Sequence, residues 1–127
     1  MKDETRLWLE YAEENLQSAQ ILLQSHLYNP SLQNAQQSVE KNIKAYFIEK
    51  GIGLQKTHSI FSLVEKLKQR DLVLDIELDE IDFLDSIYLS SKYPMGSVLP
   101  DFHPDEKISL YALEIAKKVS LNIMKLL

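Results

Sequence analysis

Residues 31–51 carry the clearest structural pattern in the chain and read SLQNAQQSVEKNIKAYFIEKG. Their apolar side chains recur at steps of three and four, which places them on one face of a helix: Leu32, Ala35, Val39, Ile43 and Tyr46. A polar stripe lies beside them and consists of Gln33, Gln37, Glu40, Lys41 and Lys44. Gly51 suits the end of this helix because glycine readily adopts the left-handed conformation of a C-terminal cap. The segment predicts a long amphipathic helix whose polar stripe is either solvated or buried at an interface with hydrogen-bond partners.

A similar pattern precedes this segment. From Asp3 to about Gln24 the apolar residues again form one helical stripe: Leu9, Ala12, Leu16, Ala19 and Leu23. The stretch from His26 to Pro30 is expected to be the turn, because Asn29 and Pro30 favour turns and proline disfavours helix before it. So short a connection predicts that the two helices are antiparallel neighbours.

Three more helices are predicted after Gly51. Residues 60–67 indicate a short third helix, and residues 78–88 a fourth that must end before Pro94. The candidate caps of the third helix are Thr57 and Ser59. Between these helices, residues 71–76 fit a turn with a short extended piece. The last helix is expected to begin with Pro104 at its first position, where proline is favoured.

Composition agrees with a single helical domain. The chain has 127 residues with only three glycines and four prolines, too few turn formers for a many-stranded sheet protein. We therefore predict an all-α fold over residues 1–127, an up-down antiparallel bundle of four main helices plus a shorter one. The absence of cysteine excludes disulfides, thiolate metal sites and thiol nucleophiles. No signal peptide or membrane-spanning stretch is evident, so a cytoplasmic protein without a membrane partner is expected.

Charge is distributed unevenly along the chain. The net charge of -5 argues against a strong general affinity for nucleic acid. Residues 41–70 nevertheless hold seven basic and two acidic side chains, whereas residues 71–86 hold seven acidic side chains and no basic one. The two runs are either solvated faces or a basic site for phosphate or RNA beside an acidic segment that shapes it.

Histidines are the main candidates for chemistry. His26 reads as a partner of the C-terminal dipole of the first helix. His58 lies at a helix start, where it either caps the helix or belongs to an anion site made by backbone amides. His103 lies between Asp101 and Asp105, but nothing else supplies a firm metal ligand, so no metal and no cofactor are expected. The carboxylates of the fourth helix, Asp79, Asp82 and Asp85, read as a solvated edge.

The order of these features resembles the HEPN domain, a helical-bundle family of bacteria and archaea. The resemblance covers nearly the whole chain. The residues that carry it are Trp8, Ala12, Asn15, Leu16 and Ala19, then Gln36 to Ala45, Lys56 to Ile60 and Tyr88 to Pro94. The run Gln-Gln-x-x-Glu-Lys-x-x-Lys-Ala at 36–45, followed by Lys-Thr-His at 56–58, is its most specific part.

The resemblance implies a homodimer, often paired with a small nucleotidyltransferase in a toxin–antitoxin-like module. Many relatives are metal-independent ribonucleases that use an arginine followed four to six residues later by a histidine, assembled across the dimer. Neither Arg6 nor Arg70 is followed by a histidine at that distance. Lys92 stands where similar sequences have the arginine of Arg-Tyr-Pro, and lysine lacks the bidentate fork that suits phosphate.

We therefore predict a nucleotide- or RNA-binding module, or a nucleotidyltransferase-partner module, of a toxin–antitoxin-like system, with no catalytic residues. The candidate binding residues are Lys92, Tyr93, Tyr88, Lys56 and His58. Tyrosines would stack on a base and lysines would neutralise phosphate, unless Tyr88 and Tyr93 are core or dimer-interface aromatics. The alternative is a ribonuclease toxin in which Lys92 holds the phosphate and a displaced His58 or His103 is the base.

Overall fold

The computed structural model describes residues 1–92 and 103–127, apart from the side chain of Lys92, and five helices lie within these ranges. They are α1 (Asp3–Gln24), α2 (Tyr28–Glu49), α3 (Ile60–Lys68), α4 (Leu78–Lys92) and α5 (Glu106–Leu126). Neither range contains a strand. The all-α class predicted from the sequence is confirmed.

The helices α1 and α2 form the hairpin that the sequence predicts. Ala19 of α1 is fully buried, and the Ser31 hydroxyl of α2 donates a hydrogen bond to its carbonyl oxygen at 2.8 Å. At the other end of the pair, the Glu49 carboxylate accepts hydrogen bonds from the backbone N–H of Lys2 at 3.0 Å and the Thr5 hydroxyl at 2.9 Å. Both ends of this long hairpin are therefore fastened by polar contacts.

The connection between α1 and α2 is shorter than predicted. Since α1 ends at Gln24 and α2 begins at Tyr28, Asn29 and Pro30 lie in the first turn of α2 and not in the connecting turn. Proline is tolerated there because the first N–H groups of a helix have no acceptor within the helix. His26 takes the left-handed conformation, φ 61°, where the chain reverses.

Hydrogen bonds between helices give their relative directions. The Ser109 hydroxyl, near the start of α5, donates to the carbonyl of the first residue of α2 at 3.4 Å. Gln33, near the start of α2, donates to the Ile87 carbonyl near the end of α4 at 3.2 Å. Lys118, in the second half of α5, contacts Glu80 near the start of α4 at 2.8 Å. The helices α1, α2, α4 and α5 therefore run up-down-up-down, and α3 lies in the connection from α2 to α4.

Two helices begin with polar caps. Ser59, one of the two predicted caps of α3, accepts a hydrogen bond from the Ser62 N–H at 3.1 Å. Asp105 caps α5 by accepting one from the Ile108 N–H at 2.8 Å. Pro104 therefore precedes the cap, and its expected place at the first helical position was wrong. The aspartate occupies the cap because its carboxylate satisfies a free N–H group, which proline cannot do.

The central helix is α2, which packs against all four others. Its predicted apolar stripe is buried in the core, and Gly51 follows it in the left-handed conformation with φ 73°. The segment 71–76 is irregular and is anchored by the buried side chain of Leu74. Within the described ranges, no helix has the length and apolar character needed to cross a membrane.

Candidate functional site

Part of the polar stripe of α2 is buried within the fold. Glu40 is 6% exposed and Lys44 is 4% exposed, and the Lys44 Nζ lies 3.6 Å from Glu40 Oε1. Their spacing of four residues places both on one face of α2. Buried charges need partners, so this pair identifies the middle of α2 as a polar interface and not a solvated face.

His58 joins this buried pair to the surface. Its Nδ1 lies 2.7 Å from Glu40 Oε1, while half of the His58 side chain is exposed. An ionised carboxylate can only accept hydrogen bonds, so Nδ1 is the donor and Nε2 is left for another partner. The His58 ring stacks on Tyr88 of α4, with centroids 4.8 Å apart and planes 17° from parallel. Glu40 and Tyr88 therefore hold the imidazole from two sides.

The start of α3 does not offer the anion site that the sequence suggests. Asp85 of α4 accepts hydrogen bonds from the Ile60 N–H at 2.7 Å, the Phe61 N–H at 3.2 Å and the Ser59 hydroxyl at 3.3 Å. A carboxylate of the chain itself thus occupies the positive end of the α3 dipole. Asp85 is a cap and not a member of a solvated edge, and an incoming phosphate would have to displace it.

A polar cleft opens between α2 and α4 beside His58. It encloses about 280 Å³ and is lined by Gln33, Gln36, Gln37, Glu40, Lys41, His58, Tyr88 and Ser91. A second, side cleft of about 390 Å³ adjoins it and is lined by Thr57, His58, Ser59, Asp85, Tyr88 and Leu89. The stacked pair of His58 and Tyr88 belongs to both and forms the ridge between them.

Gln36 supplies the least expected feature of the polar cleft. Its side chain is 1% exposed, and its Nε2 has no hydrogen-bond partner among the described residues. A buried amide without a partner costs about 1–3 kcal/mol, so this one is poised to gain from a ligand that accepts its hydrogen bond. One turn earlier, Gln33 Nε2 donates to Ile87 O and Ser90 Oγ, both at 3.2 Å, which fixes that amide at the cleft wall.

Lys41 contributes the cation of the polar cleft. Its Nζ donates to Asn15 Oδ1 at 2.8 Å and lies 5.6 Å from the centroid of the Tyr11 ring. Partial burial lowers the pKa of Lys41 below its ordinary value, against the raising effect of the neighbouring Glu40 carboxylate. Contacts with α1 therefore hold this ammonium group at the edge of the cleft.

The structure brings together two of the five binding residues predicted from the sequence. His58 and Tyr88 come together, whereas Lys56 is exposed and lines neither cleft. Lys92 ends α4, but its side chain and the whole of Tyr93 lie outside the described residues. His103 is exposed just before α5. Within the described residues, no group of three or more metal-binding side chains is present.

Gln36 is not among the site residues predicted from the sequence, although it lies in the run that carries the family resemblance. Its position between the apolar and polar stripes of α2 is the signal that could have identified it. Helical spacing places the residue at the border of two faces, but only the packing of α4 against that border shows that it is buried.

A family profile and two solved structures are similar to this chain. The sequence profile of the HEPN domain matches residues 5–125. The crystal structure of TT1696 from Thermus thermophilus is similar with a TM-score of 0.76 and 24% identity, covering 99% of this chain and 100% of that one. The crystal structure of ST0689, an archaeal HEPN homologue, is similar with a TM-score of 0.65 and 20% identity, covering 98% of each chain. No curated protein matches the sequence.

Proposed function

Because the chain belongs to the HEPN family, we propose that it binds a nucleotide, free or within single-stranded RNA, in the polar cleft between α2 and α4. The observation that carries the proposal is the buried amide of Gln36, which has no partner among the described residues although it lines the cleft. A ligand with hydrogen-bonding groups on a planar edge would satisfy it.

The chemistry of the cleft matches the parts of a nucleotide. The ridge of His58 and Tyr88 offers aromatic surface for stacking a base. The Nε2 of the Gln36 amide can donate one hydrogen bond to an acceptor on the edge of that base. Lys41 offers a positive charge for phosphate. Ser91 lines the cleft, and Lys92 follows it as the last residue of α4.

A thermal-unfolding titration with nucleoside monophosphates and short RNA oligonucleotides tests the proposal. At a ligand concentration one hundred times Kd, binding adds about 2.7 kcal/mol to stability, which is a rise in Tm of roughly 10 °C for a chain of this size. In Gln36→Leu the ligand-dependent rise should disappear, because the amide that reads the base is gone.

The ligand-free Gln36→Leu protein should be at least as stable as the wild type, because a buried amide without a partner has been removed. Gln20→Leu, at an exposed position of α1, is the matched control and should keep the full ligand response. No rise in Tm with any of these ligands, or an undiminished rise in Gln36→Leu, would refute nucleotide binding at this cleft.

A ribonuclease is the second candidate, and the contact between Glu40 and His58 favours it. A carboxylate on Nδ1 orients an imidazole so that Nε2 can act as a base, and Lys92 would supply the cation. Incubation of RNA with the wild type, Lys92→Ala and His58→Ala decides between the two. Cleavage that either substitution abolishes supports the ribonuclease. Intact RNA with all three proteins supports a binding module.

We further propose that the chain works as a homodimer in the cytoplasm, with a small nucleotidyltransferase as partner in a toxin–antitoxin-like system. Family membership supports this proposal. A nucleotidyltransferase reading frame beside that of this chain, and a rise in Tm with the purified partner alone, would support it further. A chain that responds to nucleotide but not to that partner would contradict the two-component arrangement.

A further inference from the structure

An apolar groove lies at the end of the bundle opposite the start of α2. Its floor is formed by the buried side chains of Val64, Leu74 and Ile81. Its rim carries Phe61, Val73 and Leu78, all of them exposed, with Val73 at 72%. The groove encloses about 370 Å³ and lies on α3, the 71–76 segment and the start of α4, away from the polar cleft. Exposed apolar side chains gathered around a depression are typical of an interaction site.

The charged side chains that line the groove are two acids, Glu65 and Glu77, and one base, Lys68, whose Nζ pairs with Glu65 Oε1 at 3.3 Å. Five exposed carboxylates on the 71–86 run form no ion pair among the described residues, although Lys118 is close enough to Asp75 and Glu77 to interact with their charges: Asp71, Asp75, Glu77, Asp79 and Asp82. Of the other two acids in the run, Glu80 is paired with Lys118 and Asp85 caps α3. Of these five carboxylates Glu77 lines the groove, and the other four lie in the same segment as the groove residues Val73 to Ile81 or next to it.

We propose that this groove docks an amphipathic helical segment of a partner protein, with apolar anchors flanked by Lys or Arg. The apolar floor and rim suit side chains at helical spacing, which is how such segments lie in grooves. The unpaired carboxylates select basic flanks and reject acidic ones, since electrostatic complementarity sets partner choice. This inference is independent of nucleotide binding, because the groove shares no lining residue with the polar cleft.

The test uses a designed amphipathic helical peptide of leucine and lysine, and a second peptide in which glutamate replaces every lysine. Affinity is measured by fluorescence anisotropy, and the binding surface is mapped from amide shifts of the labelled full chain. The leucine–lysine peptide should bind at least tenfold more tightly than its acidic counterpart. The shifted amides should lie within residues 60–81.

Matched variants distinguish binding at the groove from general attraction of a basic peptide to an acidic protein. Val73→Ser/Leu78→Ser replaces two exposed apolar side chains of the rim. The affinity for the leucine–lysine peptide should fall at least tenfold, and the Tm of the protein should not change. Leu121→Ser, at a 67% exposed position of α5 that does not line the groove, should bind like the wild type. Glu77→Gln should reduce both the affinity and its dependence on salt.

Other outcomes overturn the proposal. If the wild type binds both peptides with the same affinity, the groove does not select a basic amphipathic segment. The same follows if Val73→Ser/Leu78→Ser binds the leucine–lysine peptide as tightly as the wild type does. Amide shifts confined to residues outside 60–81 would place the interaction elsewhere. If the wild type self-associates in light scattering and Val73→Ser/Leu78→Ser does not, the occupant is a second copy of this chain.

Discussion

At the scale of single residues, one side of α2 carries polar side chains that are buried and not exposed to solvent. Glu40 and Lys44 are buried together, and His58 reaches Glu40 from a loop eighteen positions further along. Removing a charge from a buried pair is costly because the remaining charge has lost its compensation. The same side of α2 carries Gln36, whose amide is buried without a partner among the described residues.

Glu40→Ala should therefore lower the free energy of unfolding by about 3–5 kcal/mol, measured by urea denaturation. Replacing both members of the buried pair, in Glu40→Leu/Lys44→Leu, should restore much of the loss because no uncompensated charge remains. Glu10→Ala, at an exposed position of α1, is the control and should change stability by no more than about 0.5 kcal/mol. If Glu40→Ala lowers the free energy of unfolding by less than about 1 kcal/mol, the buried charge of Lys44 is not compensated mainly by this carboxylate.

At the scale of elements, α3 depends on its neighbour. It has nine residues, and a helix this short is not stable by itself in water. Its own Ser59 satisfies one of the free N–H groups at its start, and Asp85 of α4 satisfies two more. The carboxylate also opposes the positive end of the helix dipole. A side chain of α4 therefore stabilises both the start of α3 and the loop that carries His58.

Asp85→Ala should cost about 1–2 kcal/mol of stability, the range for losing a helix cap. Hydrogen exchange at the amides of Ile60 and Phe61 should speed up, because they lose their acceptor. Asp82→Ala is a matched control one turn earlier on α4, where the carboxylate has no hydrogen-bond or ion-pair partner in the described part of the chain. Equal effects of the two substitutions would show that the cap adds nothing beyond general charge.

At the scale of the whole molecule, the start of the chain is fastened to the far end of α2. Glu49 accepts hydrogen bonds from the Lys2 N–H and the Thr5 hydroxyl, and Lys2 Nζ also donates to the Ile48 carbonyl at 3.0 Å. The backbone hydrogen bond from Lys2, followed by that from the Thr5 hydroxyl, lowers the pKa of Glu49 below its ordinary value. This contact joins positions 47 residues apart, so it reports on the folded hairpin.

The pH dependence follows from the sign of that shift. Because the pKa of Glu49 is lowered in the folded chain, its contribution is fully present above the ordinary glutamate pKa of about 4.3 and is lost as pH falls through the folded pKa. The difference in Tm between the wild type and Glu49→Gln should stay constant from pH 7 to about pH 5 and shrink below that. A difference that grows on acidification would contradict the assigned direction.

Most of the architecture is readable from local patterns. The stripe from Leu32 to Tyr46 predicts α2, and Gly51 predicts its end. Thr57 and Ser59 are both candidate caps of α3, and Ser59 is the one that caps it in the structure. The errors lie at helix boundaries, where Pro30 and Pro104 were each misplaced because proline suits several positions around a helix start. In the candidate site, His58 and Tyr88 were named from the sequence, but the roles of Gln36 and Asp85 were not.

Sequence alone determines which residues share a helix face, because helical spacing is a property of neighbours three and four positions apart. It therefore determined the helices, their polar and apolar stripes and the all-α class. The tertiary structure alone decided which polar groups are buried and what they meet. Glu40 and His58 are 18 positions apart, and Asp85 and Ile60 are 25 apart. Contacts over such separations depend on how the helices pack, and a local repeat carries no information about that packing.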